Sequence, residues 1–343
     1  MPVLSGFLTL LAAVIIGFLV WTGIGQWWVE RKFPPVGQFI TVDGLRLHYV
    51  IAGKGPGIIL VHGASSNLQE FTSSILPELA KTHRVIAFDR PGYGYSQAPS
   101  DDVWFDPAAV AGLFLQAAAE LGVEKPVILG HSWGGSVVMA ALVYFPERIS
   151  GGVLLSGVAG HWAGPLNWTY GIGDKSFIGP LFAWTMVYPL GSMVLANNVQ
   201  EVFTPDIMPE GHLDRAAVAL ALRPATFQRN VRDMNKLNEY MQVLSPHYDQ
   251  VKTPLLIIHG EDDILVPFWN HGRRLVPVIK QAEVVLLPDT GHAPHHTQTA
   301  KVCAAIEQFY AEISAPQQAA TKPRPQADWP IMPPLPDQAP RHY

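Results

Sequence analysis

The chain of 343 residues reads as an α/β fold built on a mostly parallel sheet. Short, unbroken apolar runs at Gly57-Ile-Ile-Leu-Val61, Arg84-Val-Ile-Ala-Phe88, Val127-Ile-Leu129, Leu255-Leu-Ile-Ile-His259 and Glu283-Val-Val-Leu-Leu287 have the length and β-branched content of strands buried on both faces. Helix-like stretches stand between them. At Gly130-His131-Ser132-Trp133-Gly134-Gly135 one run passes through small residues straight into the helix-like 136–144, a strand, sharp turn and helix in succession.

The N-terminus departs from this pattern. No side chain from residue 2 to 29 is charged, and residues 3–21 are dominated by Leu, Ile, Val, Ala and Phe. That length crosses a hydrocarbon core of about 30 Å, so one membrane-spanning helix is expected. Trp27 and Trp28 fall where an interfacial aromatic belt sits, with Arg31 and Lys32 just beyond. A cleaved signal peptide and a buried core helix compete with the anchor; Gly23 and Gly25 would suit cleavage, but no Lys or Arg precedes the apolar run, which is long for a signal peptide. Arg31 and Lys32 after the span lean the following domain toward the cytoplasmic side. The expected division is an anchor over residues 1–34, a main domain over 35–314 and a tail over 315–343.

Residues 38–42 and 45–50 flank Asp43-Gly44, a two-residue hairpin signal, and should open the sheet with an antiparallel pair. A helix is expected over 72–81. Asp89 and Arg90 read as a loop-holding pair with glycine turns after them, and Gly53-Lys-Gly55-Pro-Gly57 as a turn, not a phosphate cradle. The sheet alternation breaks between about 158 and 250, a stretch rich in Trp162, Trp168, Tyr170, Phe177, Phe182, Trp184, Tyr188, Met193 and Phe203. It is a candidate lid. After residue 313 the chain is dense in proline with little to bury, the composition of a solvated tail.

Composition bounds the function. A formal net charge of -5 and a sequence pI near 6.2 supply no basic field for a phosphate backbone, so nucleic acid is not an expected partner. Cys303, the lone cysteine, reads as a structural thiol in the last helix.

Ser132 lies between glycines at the turn, in a position that strains the backbone, exposes the hydroxyl and places it near the positive end of a helix. Such a serine needs a base to take its proton and a third group to hold that base. Glu261, Asp262 and Asp263 end one strand-like run, and Asp289 and His292 follow another.

Over about residues 38–314 the chain resembles the α/β-hydrolase superfamily. The resemblance is carried by Leu60-Val61-His62-Gly63-Ala64, Phe88-Asp89-Arg90-Pro91-Gly92-Tyr93-Gly94, Gly130-His131-Ser132-Trp133-Gly134-Gly135, Gly260-Glu261-Asp262-Asp263-Ile264-Leu265-Val266-Pro267 and Gly291-His292. It implies an eight-stranded sheet with helices on both faces and a helical lid after the sixth strand. It also implies the order nucleophile, acid, histidine, hence Ser132, Asp263 and His292. Asp263 is favoured by its D-x-x-V-P setting, with Asp262 and Glu261 as neighbours that could take its place. The backbone N–H groups of Ala64 and Trp133 become the expected oxyanion hole. Relatives that open epoxides or displace halide carry aspartate at the elbow, so Ser132 points to attack on a carbonyl.

The expected activity is hydrolysis of a carboxylic ester, hydrophobic if the lid is a guide, with no cofactor and no metal. Carbon–carbon bond hydrolysis, acyl transfer and haloperoxidase-like chemistry remain alternatives, as does a non-catalytic membrane scaffold. His62, His131, Trp162 and Trp184 are the expected pocket residues. His295 and His296 read as the start of the last helix, because no neighbouring Cys or carboxylate completes a metal set.

Overall fold

A computed structural model of the chain describes residues 2–99, 103–164 and 166–315. The strands are β1 (Gln38–Val42), β2 (Leu45–Ala52), β3 (Gly57–Val61), β4 (Arg84–Phe88), β5 (Val127–His131), β6 (Gly151–Leu155), β7 (Leu255–Gly260) and β8 (Ala282–Leu287). They form one eight-stranded sheet in the order β1-β2-β4-β3-β5-β6-β7-β8. β2 runs antiparallel to both β1 and β4, and every other pairing is parallel. The hairpin between β1 and β2 turns at Asp43 and Gly44 with φ of 50° and 76°, the double left-handed turn that its sequence favours.

The alternation along β3 shows why these runs are apolar throughout. Ile59 and Val61 enter the core on one face, with Phe114, Val137 and Leu142, while Ile58 and Leu60 enter the other, with Phe71, Ile306 and Phe309. Helices Pro107–Glu120 and Gly134–Tyr144 cover the first face and Thr299–Ser314 the second. Cys303 is half-buried on that last helix, where burial raises its thiol to about 11, so it stays protonated.

The helix expected over 72–81 is two short pieces, Gln69–Thr72 and Leu76–Leu79. The hydroxyls of Ser73 and Ser74 donate back to the carbonyls of Gln69 and Glu70 at 2.6 and 2.5 Å, and these local bonds compete with continuation of the helix. The lid lies between β6 and β7. It comprises Trp168–Gly173, Ile178–Phe203 with a wide π-helical turn at Ala183–Val187, and the long helix Pro224–Leu244.

The N-terminal helix Pro2–Lys32 divides along its length. Thr22, Gly25, Val29 and Phe33 form one buried stripe against the lid, with Ala217 and Leu220 packed on Val29 and Phe33. At Gly25 a Cβ would meet the Tyr188 ring at 1.9 Å, so only glycine admits that ring. Lys32 pairs with Asp214 at 2.6 Å and Arg223 with Glu30 at 3.5 Å. Residues 3–21 instead project from the body with Leu, Val, Ile and Phe side chains exposed. The expected proline-rich tail, 316–343, lies outside the described residues.

Candidate active site

The turn after β5 is set by close packing. A Cβ on Gly130 would lie 2.1 Å from the carbonyl oxygen of Gly134, and one on Gly134 2.3 Å from that of Val61. Between them Ser132 has φ of +51°, a left-handed conformation costing roughly 1–3 kcal/mol that the surroundings must hold in place. They do so through Ser132 N–H to Leu155 C=O at 3.2 Å, and through the Ser132 carbonyl, which accepts from Gly135 and Val158 at 2.9 Å each. The side chain is thereby turned into a cavity of about 710 Å³ beneath the lid.

His292 borders the same cavity. Its Nδ1 lies 2.7 Å from Asp263 Oδ2, while Asp263 Oδ1 accepts from the backbone N–H of Leu265 and Val266 at 2.9 Å each. The D-x-x-V spacing thus wraps the turn around one oxygen and leaves the other for the histidine. Glu261 and Asp262 are exposed and point elsewhere. Burial opposes charge on Asp263, but the His292 charge and hydrogen bonds from His259 and His292 outweigh it and hold this carboxyl below the usual range. Burial also depresses His292, only partly offset by Asp263, so its imidazole is neutral near pH 7.

Ala64 and Trp133 both line the cavity beside Ser132, and a Cβ on Gly63 would approach the Ser132 Cβ at 3.0 Å. The loop carrying Ala64 is braced from below. Arg90 donates to the Gly63 carbonyl at 3.0 Å and to Asp233 at 2.7 Å, and its guanidinium lies 3.8 Å from the centre of the Trp133 ring. Asp233 also receives Tyr93 Oη–H at 2.8 Å and pairs with Arg229 at 2.9 Å, while Asn230 accepts from Ser65 N–H at 2.8 Å. The expected Asp89/Arg90 pair does not form. Asp89 instead meets His48 Nδ1 at 2.6 Å and accepts from Leu68 and Tyr95 N–H.

The expected pocket residues separate. His131 and Trp162 line the cavity. His62 is fully buried beneath the loop after β3, with Nε2 accepting from Arg90 N–H at 2.9 Å and Nδ1 on the Gly63 carbonyl, so it braces and does not line. Trp184 lies on the outer side of the lid and is 41% exposed. Inner residues of the same helix, Phe182, Met186, Leu190 and Val194, form the roof instead. Asp289 is exposed, and the histidine loop is tethered by Asp206 of the lid, which accepts from Gly291 N–H at 3.0 Å and Thr297 Oγ at 3.1 Å.

A serine on a strand-to-helix elbow, a histidine turned by a buried aspartate and an N–H-bearing loop after β3 now stand together. The sequence profile of the alpha/beta hydrolase family matches residues 58–305. The chain belongs to the alpha/beta hydrolase family. Among the relatives of this hydrolase, a 2-hydroxymuconate semialdehyde hydrolase of Pseudomonas sp. (strain CF600) is 28% identical over 297 residues, covering 83% of this chain and 97% of its own. An alpha/beta hydrolase fold protein from Burkholderia ambifaria superposes with a TM-score of 0.67 at 23% identity, over 80% of this chain and 98% of its own. A membrane phospholipase A described as a bacterial virulence factor superposes at 0.63 and 20% identity, over 91% and 99%. These solved structures share the fold of the hydrolase.

Proposed function

We propose that this hydrolase cleaves hydrophobic carboxylic esters through an acyl-enzyme, with Ser132 as nucleophile, His292 as acid and base, and Asp263 as the group that orients His292. Ser132 Oγ attacks the ester carbonyl as its proton passes to His292, forming a tetrahedral oxyanion held by the N–H groups of Ala64 and Trp133. His292 returns the proton to the departing alcohol. Water then attacks the acyl-serine with His292 again as base, releasing the acid and restoring Ser132. Asp263 keeps Nδ1 protonated throughout and stabilises the imidazolium.

The cavity carries the choice of substrate. Its roof is Phe182, Met186, Leu190, Val194 and Phe227, and among the described residues no Lys or Arg lines it. A long acyl chain would leave water for that wall at about 25 cal/mol per Å² buried. The chain's relatives favour carbon–carbon bond hydrolysis as a second reading. A 2-hydroxymuconate semialdehyde carries a carboxylate, however, and among the described residues no Lys or Arg lines this cavity to pair with it.

The exposed arm over residues 3–21 supports anchoring by a single membrane-spanning helix, with the hydrolase domain following from about residue 35. Ile178–Phe203, mean hydropathy 1.4 at its most apolar, adds a second apolar face, exposing Ile178, Leu181 and Met193 on the segment whose Tyr188 packs against Gly25 of the N-terminal helix. This face would rest in the lipid interface, where an acyl chain can reach the roof directly.

The test is labelling of the purified full chain and of Ser132→Ala with a fluorophosphonate, followed by p-nitrophenyl esters of increasing acyl length. Labelling of the parent alone and a rate that climbs with chain length are expected. A folded parent that takes no label would overturn the serine mechanism in favour of a binding scaffold; faster turnover of short, soluble esters would overturn the substrate class. Turnover of 2-hydroxymuconate semialdehyde above that of every ester would install the second reading.

A further inference from the structure

Glu70, His131 and His295 come from three distant parts of the chain: the segment after β3, the end of β5 and the short helix Pro294–Thr297 behind His292. The structure brings one ligand-type atom of each to within 4.8 Å of the others. All three side chains are buried, yet all border the cavity, so an ion can arrive through it. The absence of a neighbouring carboxylate in the sequence had argued against a metal at His295. Glu70 supplies that carboxylate through the tertiary fold.

Each residue is prepared differently. His131 Nε2 donates to the His292 carbonyl at 3.0 Å, and Nδ1 donates to Glu70 Oε1 at 3.2 Å when the ring is protonated, a pairing in which, against burial, Glu70 favours the charged ring; a metal would take the place of that Nδ1 proton. A metal-binding histidine is oriented in this way by a carbonyl on its far nitrogen. The other oxygen of Glu70 accepts from the Ser66 hydroxyl. His295, 1% exposed, has no hydrogen-bond partner at either ring nitrogen. Interiors seldom leave a buried polar ring so, and its neighbours, the rings of Phe71, His131 and His296, offer contact without satisfying it.

We infer that Glu70, His131 and His295 bind a zinc-type divalent cation beside Ser132 and His292. Binding stands independently of the proposed function. Two imidazoles, one carboxylate and a fourth position open to the cavity form a known zinc ligand set. Bonds of about 2.0–2.1 Å place tetrahedral ligands roughly 3.3 Å apart, so His131 and Glu70 already fit and His295 must close by up to about 1.5 Å. No hydrogen bond holds that ring back.

The full chain, stripped by chelator in detergent micelles, is titrated with zinc chloride by calorimetry and with cobalt(II) by visible absorption. One equivalent of zinc and the intense visible bands of four-coordinate cobalt are expected. Glu70→Gln and His295→Phe should each weaken zinc by at least about tenfold, since even loss of an outer-shell partner costs 10–100-fold. His296→Gln, whose ring lies tilted against His295 outside the set, should bind as the parent does. A parent that binds no zinc or cobalt, or variants of Glu70 and His295 that bind as tightly as the parent, overturns the site. A protein that binds zinc through these residues but hydrolyses no ester leaves the site standing and refutes the hydrolytic reading instead.

Discussion

Arg90→Met removes the brace beneath the proposed oxyanion loop after β3 while keeping a side chain of similar reach. Arg90 makes charged hydrogen bonds to the Gly63 carbonyl and to Asp233, both in the interior. Each such bond is worth roughly 1.5–3 kcal/mol. Asp233 is fully buried and would keep Arg229 and Tyr93 as partners, so the expected loss is about 3–5 kcal/mol, the range for breaking a buried pair. The pH dependence identifies the cause. Burial already raises Asp233 above the usual carboxylate value, opposed first by Arg90 and then by Arg229, and the variant loses the stronger of these opposing charges. A carboxyl with a raised folded value contributes stability that is present at low pH and lost as pH climbs through that value. The deficit of Arg90→Met should therefore shrink on acidification from pH 7 toward pH 5. Urea unfolding in detergent at several pH values measures it. In catalysis the Ala64 N–H should drift from the oxyanion, lowering kcat by up to about 10²–10³ with KM little changed. A variant within 1 kcal/mol of the parent at pH 7, or one whose KM alone rises, would refute the brace.

Asp263→Asn should keep the fold and lower kcat by about 10⁴, the effect of presenting the wrong histidine tautomer; a loss under tenfold would remove Asp263 from its proposed role. His271, whose Nδ1 accepts from Ala159 and Gly160 N–H, is lowered to about 3 by burial. It stays neutral when folded but charges below about pH 6.5 when unfolded, so stability falls as pH drops from 6.5, by about 2 kcal/mol at pH 5 from this group alone. His271→Gln, able to accept the same bonds, should flatten that slope, and an unchanged slope would exonerate His271. Deleting residues 2–21 should release the protein from membranes and leave its stability unchanged. Deleting 2–33 should also strip Val29 and Phe33 from the lid, each worth about 1.5–3 kcal/mol of burial, and expose residues 178–223 to limited proteolysis; equal resistance in both truncations would refute the docking.

Strands buried on both faces write themselves as unbroken apolar runs, which is why β3, β4, β5, β7 and the elbow at Ser132 could be located from local patterns; β8 has the same composition but, at the sheet edge, is only half-buried, and β6, which opens on Gly151 and Gly152, was not located. Asp263 was likewise distinguishable from Asp262, because its turn depends on residues only two and three positions away. Long-range partners were not legible. Arg90 reaches Asp233, 143 positions on, and nothing beside Arg90 announces it, although the Arg229/Asp233 spacing on a helix marks an i, i+4 pair. Asp206 is hidden in the same way from the histidine loop it tethers. In the lid, aromatic residues are spaced so that Phe182 faces inward and Trp184 outward, and composition alone does not say which side meets the core.

The N-terminal helix and the lid are notched together at Gly25 and Tyr188 and cross-linked by Lys32 with Asp214. At about 1.5 Å per residue the free arm is roughly 28 Å long and the docked part roughly 16 Å. The docked end rests on Tyr188, two positions before Leu190 of the cavity roof, so a change in the tilt of the arm would bear first on the helix that carries Leu190 and Val194 above Ser132.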